Sequence, residues 1–374
     1  MNNLKKLYEA GQSPWYDNIE RGLIKNGGLQ EFFKQGIMGV TSNPAIFEKA
    51  INNSSDYDRN IEHFVTEGMT PLEIYDALTI QDVADAADML LPVYKATNKR
   101  DGYVSIEVLP QYAHDAVKTI DNARVLFEKL NRPNIMIKIP GTKEGPEAIA
   151  VLIAEGININ ATLLFSKRHY QAIANAYIDG LKKRLKNGAD IQIVSSVASV
   201  FVSRVDTTVD QMLDDLLNRE TETPVKECIA MLKGKIAVAN AKMIYQRYRE
   251  IFFNDSFKEI LARGGHVQRL LWGSTSTKNP AYSDVKYVEE LIGKDTINTI
   301  PEATVLAFQY HGKIAQTVDK DVNEAEKELA DLDSMGIDID KICQIIQDEG
   351  VLAFQKAFDR LIGSIEEKTK TLKV

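Results

Sequence analysis

Only two of the 374 residues are cysteine, Cys228 and Cys343. That is too few for a disulfide framework or a cysteine metal site, and both sit in helical patterns, where they read as small apolar packing residues. The five histidines, His63, His114, His169, His266 and His311, show no His-x-x-x-His spacing, and none falls at the C-terminal end of a candidate strand. Neither a metal nor an organic cofactor is therefore expected. No apolar run approaches the roughly 18 residues of a membrane span. The opening Met1-Asn-Asn-Leu-Lys-Lys-Leu-Tyr8 lacks the apolar core of a signal peptide. The net charge of −8 disfavours a general binder of nucleic acid or anionic membrane. No Pro/Gly/Ser linker, repeat or low-complexity block divides residues 1–374, so a single domain in a cytoplasmic protein is expected.

What is present is an alternation of short β-branched runs with helical stretches. Candidate strands lie at 14–19, 39–44, 103–108, 131–141, 158–165, 191–201, 266–273 and 296–300. Helical patterns fill 20–35, 114–131, 143–155, 167–187 and 206–264, with a long helical insertion at 45–97 broken near Gly68 and Pro71. After Pro301 the chain is helical and charged, at about 302–317, 323–334 and 338–369. Eight strands alternating with helices predict an α/β fold, most simply a (β/α)8 TIM barrel with extra helices. Residues from about 320 to 374 read as a C-terminal helical extension covering the outside. A doubly wound open sheet is the alternative, but no Gly-x-Gly-x-x-Gly follows the first strand and no Gly-x-x-x-x-Gly-Lys-Ser/Thr occurs.

The fourth strand carries the sharpest signal. Side chains alternate along a strand, so Ile135, Ile137 and Ile139 share one face and Met136, Lys138 and Pro140 the other. A lysine on an otherwise buried strand face is costly to desolvate. Desolvation favours the neutral amine, the nucleophile that Schiff-base chemistry needs. The plainer alternative is a lysine whose head reaches water at the strand end.

Polar residues recur near the C-terminal ends of the other strands, where a barrel keeps its catalytic groups. One register points Asp17, Asn43, Glu107, Lys138, Asn160 and Thr162 into one cavity, with Ser199, Arg204 and the segment from Gly273 to Asn279 nearby. Each has an ordinary alternative. Asp17 could cap a helix, and Asn43-Pro44 could be a turn. Glu107 could face solvent, and Asn160 and Thr162 could be ordinary buried hydrogen-bonding groups. Lys278 and Arg204 could be solvated charges. A lysine with two carboxylates is the equipment of a class I aldol enzyme, and Arg204, Ser276 and Lys278 suit a phosphate. A sugar-phosphate isomerase or epimerase, with Glu107 as base, and a non-catalytic sugar-phosphate sensor are the rival readings.

Three stretches carry a family resemblance. Gly39-Val-Thr-Ser-Asn-Pro-Ala-Ile-Phe47, Ile135-Met-Ile-Lys-Ile-Pro-Gly-Thr142 and Gly156-Ile-Asn-Ile-Asn-Ala-Thr-Leu-Leu-Phe-Ser166 resemble transaldolase motifs. Trp272-Gly-Ser-Thr-Ser-Thr-Lys-Asn-Pro-Ala-Tyr282 is similar to the long-chain bacterial subgroup. The resemblance implies a pentose-phosphate-pathway enzyme that moves a dihydroxyacetone unit from sedoheptulose 7-phosphate to glyceraldehyde 3-phosphate. It implies Lys138 as the Schiff-base lysine and Asp17 as the acid/base at the cleaved hydroxyl. Glu107 would act through a water held by Thr162. Asn43, Asn160 and Ser199 would hold substrate hydroxyls, and Arg204, Ser276 and Lys278 the phosphate. Lys278 departs from the arginine of many relatives, replacing a bidentate fork by a point charge. Related short aldolases, the alternative within the family, carry glutamine where this chain has Glu107 and tyrosine where it has Phe201. Sugar phosphates are the implied partners, with oligomeric state open between monomer and homodimer.

Overall fold

The computed structural model describes residues 2–372. Among them eight parallel strands close into a barrel in chain order. They are β1 (Gln12–Tyr16), β2 (Val40–Thr41), β3 (Val104–Glu107), β4 (Ile135–Pro140), β5 (Ile159–Leu164), β6 (Ser196–Phe201), β7 (Arg269–Gly273) and β8 (Thr296–Ile300). Closure is made by β8 on β1, from Gln12 opposite Thr296 to Tyr16 opposite Ile300. This is the TIM barrel expected from the alternation of elements, and the open sheet is excluded.

The strand patterns explain what faces where. Ile135, Ile137 and Ile139 of β4 belong to the large core shared with the surrounding helices, while Met136 packs inside the barrel with Trp15, Tyr103, Val197, Leu271 and Ile297. The N-terminal end of the barrel is closed by a buried polar knot. Asp101 accepts hydrogen bonds from Ser13 Oγ (2.9 Å) and Trp15 Nε1 (2.9 Å) and pairs with Arg269 Nη2 at 3.0 Å. With that end tied up, the open side chains are left at the strands' C-terminal ends.

Several boundaries differ from expectation for local reasons. The helical stretch at 20–35 splits into Arg21–Lys25 and Gly28–Gln35, because Gly27 takes a φ of +82° at the break. Strand β6 starts at Ser196 and not at 191: Ile191 and Val194 are buried by packing, without strand pairing. The 45–97 stretch forms three helices, Pro44–Asn52, Asp58–Thr66 and Pro71–Ala96. The last begins with a reciprocal capping box between Thr70 and Glu73. A buried Arg21–Asp82 pair at 2.8 Å, with Tyr57 Oη donating to Asp82 at 2.9 Å, locks these helices together. Cys343 is buried as expected, but Cys228 is exposed.

The tail departs most. Its helices are Glu302–His311, Val322–Ser334 and Ile339–Leu372. Val322–Ser334 packs on the outside against Ile236–Phe252, as expected. The 34-residue last helix does not stay outside. It packs on Pro44–Asn52 and reaches β5, crossing the C-terminal mouth of the barrel. Val351, Phe354, Phe358, Leu361 and Ile365 are buried along it; Phe354 lines the cavity at the barrel's open end, and Phe358 packs edge-on against Tyr75 of Pro71–Ala96.

Candidate active site

Glu107, Lys138 and Asn160 are register partners across β3, β4 and β5. Three polar side chains therefore stand side by side at one level of the barrel interior. Lys138 is 4% exposed and Glu107 6%, which rules out both the water-reaching lysine and the solvent-facing glutamate. The Lys138 amine donates to the Ser42 carbonyl at 3.0 Å and lies 3.4 Å from Glu107 Oε2. Glu107 accepts no hydrogen bond among the described residues, and neither does the buried Thr162 Oγ1 engage a partner. Burial pushes the Glu107 carboxyl above its ordinary range, against the opposing pull of Lys138.

Asp17 directly follows β1. It does not cap a helix: Glu20 occupies the N-cap of Arg21–Lys25. Instead Asp17 Oδ1 accepts from Thr41 Oγ1 at 2.8 Å, and Thr41 in turn meets Thr299 Oγ1 at 2.5 Å. Desolvation raises its carboxyl too, opposed by Lys138, by the Thr41 bond and by Lys278. Two carboxyls raised by burial, both within electrostatic reach of one buried lysine, are placed to move protons.

A cavity of about 220 Å³ brings Asp17, Asn43, Lys138, Ser199, Phe201, Arg204, Ser276 and Lys278 together. Glu107, Asn160 and Thr162 lie off its wall. Asn160 is a buried bridge: it donates to Ser105 Oγ at 3.0 Å and accepts from Ser199 Oγ at 2.6 Å. Asn43 serves twice, as cavity wall and as N-cap, its Oδ1 accepting from Ile46 N at 3.0 Å. An adjoining cleft of about 780 Å³ shares Asp17 and Asn43 and continues past Lys49 and Glu302, which leaves room for an extended polyol.

Of the three cations that line the cavity, Lys138 pairs with Glu107, while Arg204 and Lys278 have no carboxylate within 4 Å among the described residues. Arg204, in the first turn of Ser203–Arg219, is partly buried, and burial lowers its pKa while Glu349 opposes. Its Cζ lies 5.7 Å from the centre of the Phe201 ring. Exposed Lys278 donates to Ser276 Oγ at 2.7 Å. An unpaired, half-desolvated guanidinium beside an ammonium and a hydroxyl is suited to a dianion. No group of three metal-ligating side chains occurs among the described residues.

A family model described as Transaldolase/Fructose-6-phosphate aldolase matches residues 14–365. The chain belongs to this transaldolase family. It is 47% identical to "Transaldolase 2" of Nostoc sp. (strain PCC 7120 / SAG 25.82 / UTEX 2576) over 376 residues, covering 100% of this chain and 99% of that one. It is 46% identical to "Transaldolase" of Trichodesmium erythraeum (strain IMS101), covering 99% and 98%. It is 42% identical to "Transaldolase" of Thiobacillus denitrificans (strain ATCC 25259 / T1), covering 98% and 100%.

This transaldolase-family barrel also has site features that residue patterns did not reveal. Phe354, from the last helix, lines the cavity. Asp206 and Asp210, one turn apart on Ser203–Arg219, receive the hydroxyls of Tyr287 (2.8 Å) and Tyr282 (2.7 Å). These bonds tether the far end of the loop that carries Ser276 and Lys278. The i, i+4 spacing of the aspartates was visible in the sequence, but their partners lie 81 and 72 residues away.

Proposed function

We propose that the chain is a transaldolase of the pentose phosphate pathway, moving a dihydroxyacetone unit from sedoheptulose 7-phosphate to glyceraldehyde 3-phosphate through an iminium on Lys138. The observation that carries this is the buried Lys138 amine, 3.4 Å from Glu107 and sharing a cavity wall with Asp17. Glu107, its carboxyl raised by burial, takes the ammonium proton, and the neutral amine adds to the ketone carbon. The resulting carbinolamine loses hydroxide as water, with the proton supplied by Glu107 through a water held on Thr162 Oγ1. Asp17 then removes the proton of the hydroxyl beyond the bond to be cut. The carbon–carbon bond breaks, its electrons pass to the iminium, and an aldose phosphate leaves. The enamine attacks the incoming aldehyde, Asp17 returns its proton, and water releases the new ketose. Asn43, Asn160 and Ser199 hold hydroxyls, directly or by fixing one another. Arg204, Ser276 and Lys278 hold the phosphate. The whole chain acts as one domain, in the cytoplasm.

Transfer is favoured over simple aldol cleavage because Phe201 offers no hydroxyl to deliver a proton to the enamine. Dihydroxyacetone release from fructose 6-phosphate without acceptor should be far slower than transfer with acceptor present. Phe201→Tyr should raise that release. Release as fast as transfer in the wild type would make the enzyme an aldolase.

A further inference from the structure

The end of β5 is irregular. Its register against β6 shifts between Ala161 and Leu164, and Leu163, a buried residue with a full side chain, holds a φ of +57°. Left-handed backbone is unfavourable for any residue with a Cβ, and it persists only where the surroundings over-determine it. The bulge sits next to Thr162, whose Oγ1 is buried and has no partner among the described residues. A strand that slips at 162–163 loses the simple alternation that would aim Thr162, so the bulge decides where that hydroxyl points.

What holds the bulge comes from the last helix. Gln347 is 2% exposed, and its Nε2 donates to the Leu163 carbonyl at 2.8 Å and to the Gly141 carbonyl at 2.9 Å. It also lies 3.4 Å from His169 Nδ1, and Gln347 Oε1 accepts from Gln344 at 3.1 Å. The amide is thus anchored at both ends. Gly141 N in turn donates to the Thr162 carbonyl at 2.7 Å, so one side chain ties the ends of β4 and β5 around Thr162. Gly350, one turn on, lets the helix lie against Leu163: a Cβ there would meet Leu163 Cδ2 at 3.0 Å.

We infer that Gln347 is a positioning residue: by holding the Leu163 bulge, it keeps the Thr162 hydroxyl aimed at the water that serves Glu107. The last helix thereby sets the rate of carbinolamine dehydration and iminium hydrolysis. This rests on the roles proposed for Thr162 and Glu107, and the test separates the two. Gln347→Met keeps the volume and removes both donated bonds. Iminium formation with fructose 6-phosphate, followed by borohydride quench and normalised to folded protein, should slow roughly 10–100-fold. KM for the phosphorylated donor should stay close to wild type. Adding Leu163→Gly to that variant should restore most of the lost rate, since glycine adopts the left-handed backbone without a clamp. Gln347→Glu, of the same shape but without the donor, repeats the test should the methionine variant fail to fold. A lowered melting temperature with an unchanged rate overturns the inference, as does a slowed rate that Leu163→Gly leaves slow. Thr162→Val should slow the same step. If it does and Gln347→Met does not, the inference alone fails. If Thr162→Val leaves the step unchanged, the role of Thr162 fails and the inference with it.

Discussion

Lys138 and Glu107 form a buried pair in which the glutamate has no other support, and that makes their coupling measurable without any substrate. Lys138→Met keeps the stem and removes the charge. Glu107, 3% exposed as a side chain and without a hydrogen bond among the described residues, is then an uncompensated buried carboxylate. Breaking a buried pair in this way costs about 3–5 kcal/mol of stability at neutral pH. The cost must depend on pH, and the sign follows from the carboxyl. Burial already holds Glu107 above its ordinary 4.5, and loss of the opposing lysine raises it further. A group raised on folding contributes its stability below its unfolded pKa and loses it as the pH rises through the folded one. The penalty of Lys138→Met is therefore small near pH ~4.5 and grows as the pH rises above it. Glu107→Gln in the same chain removes the charge, and most of the penalty should go with it. Guanidinium unfolding of wild type, both single variants and the double variant, at acidic and neutral pH, reads the cycle. Additivity within about 0.5 kcal/mol, or a penalty that does not change with pH, would show that the two side chains are not coupled.

Other outcomes follow from the same geometry. Burial raises Asp206 from 3.8 to about 6, so its stabilising contribution is full below pH 3.8 and lost as the pH rises through about 6. Across that window the wild type should lose up to about 3 kcal/mol more stability than Asp206→Asn. Equal losses in thermal unfolding would contradict this. Arg204→Ala should raise KM for phosphorylated sugars by roughly 1.5–3 kcal/mol, and an equal loss with unphosphorylated acceptors would remove Arg204 from the phosphate site. Dialysis against EDTA should leave turnover unchanged. Activity that vanishes and returns with a divalent ion would show a metal requirement.

The barrel was legible because strand and helix periods alternate eight times, and because Ile135, Ile137 and Ile139 alternate with Met136, Lys138 and Pro140 in a pattern only two-faced burial explains. The same alternation turns Glu107, Lys138 and Asn160 towards one interior; that they stand at one level comes from the register of β3, β4 and β5. The alternation misled at β5, where a period-2 reading gives no hint that Leu163 turns left-handed. Its carbonyl is met there by the amide of Gln347, 184 residues away, a contact that no local pattern announces. From the sequence the last helix reads as outer cover, because its apolar stripe looks alike whether it packs on helices or over a barrel mouth. The break at Gly27 did have a signal, the Asn26-Gly27-Gly28 run, which the amphipathic pattern on both sides concealed.

The proposed chemistry turns on a covalent iminium at Lys138. Incubation with fructose 6-phosphate and borohydride, followed by peptide mass analysis, tests it most directly. The expected result is inactivation with added mass on the peptide containing Lys138, matched by a loss of at least ~10³-fold in rate for Lys138→Ala. Label on another lysine, or an unlabelled and still active enzyme, would contradict it.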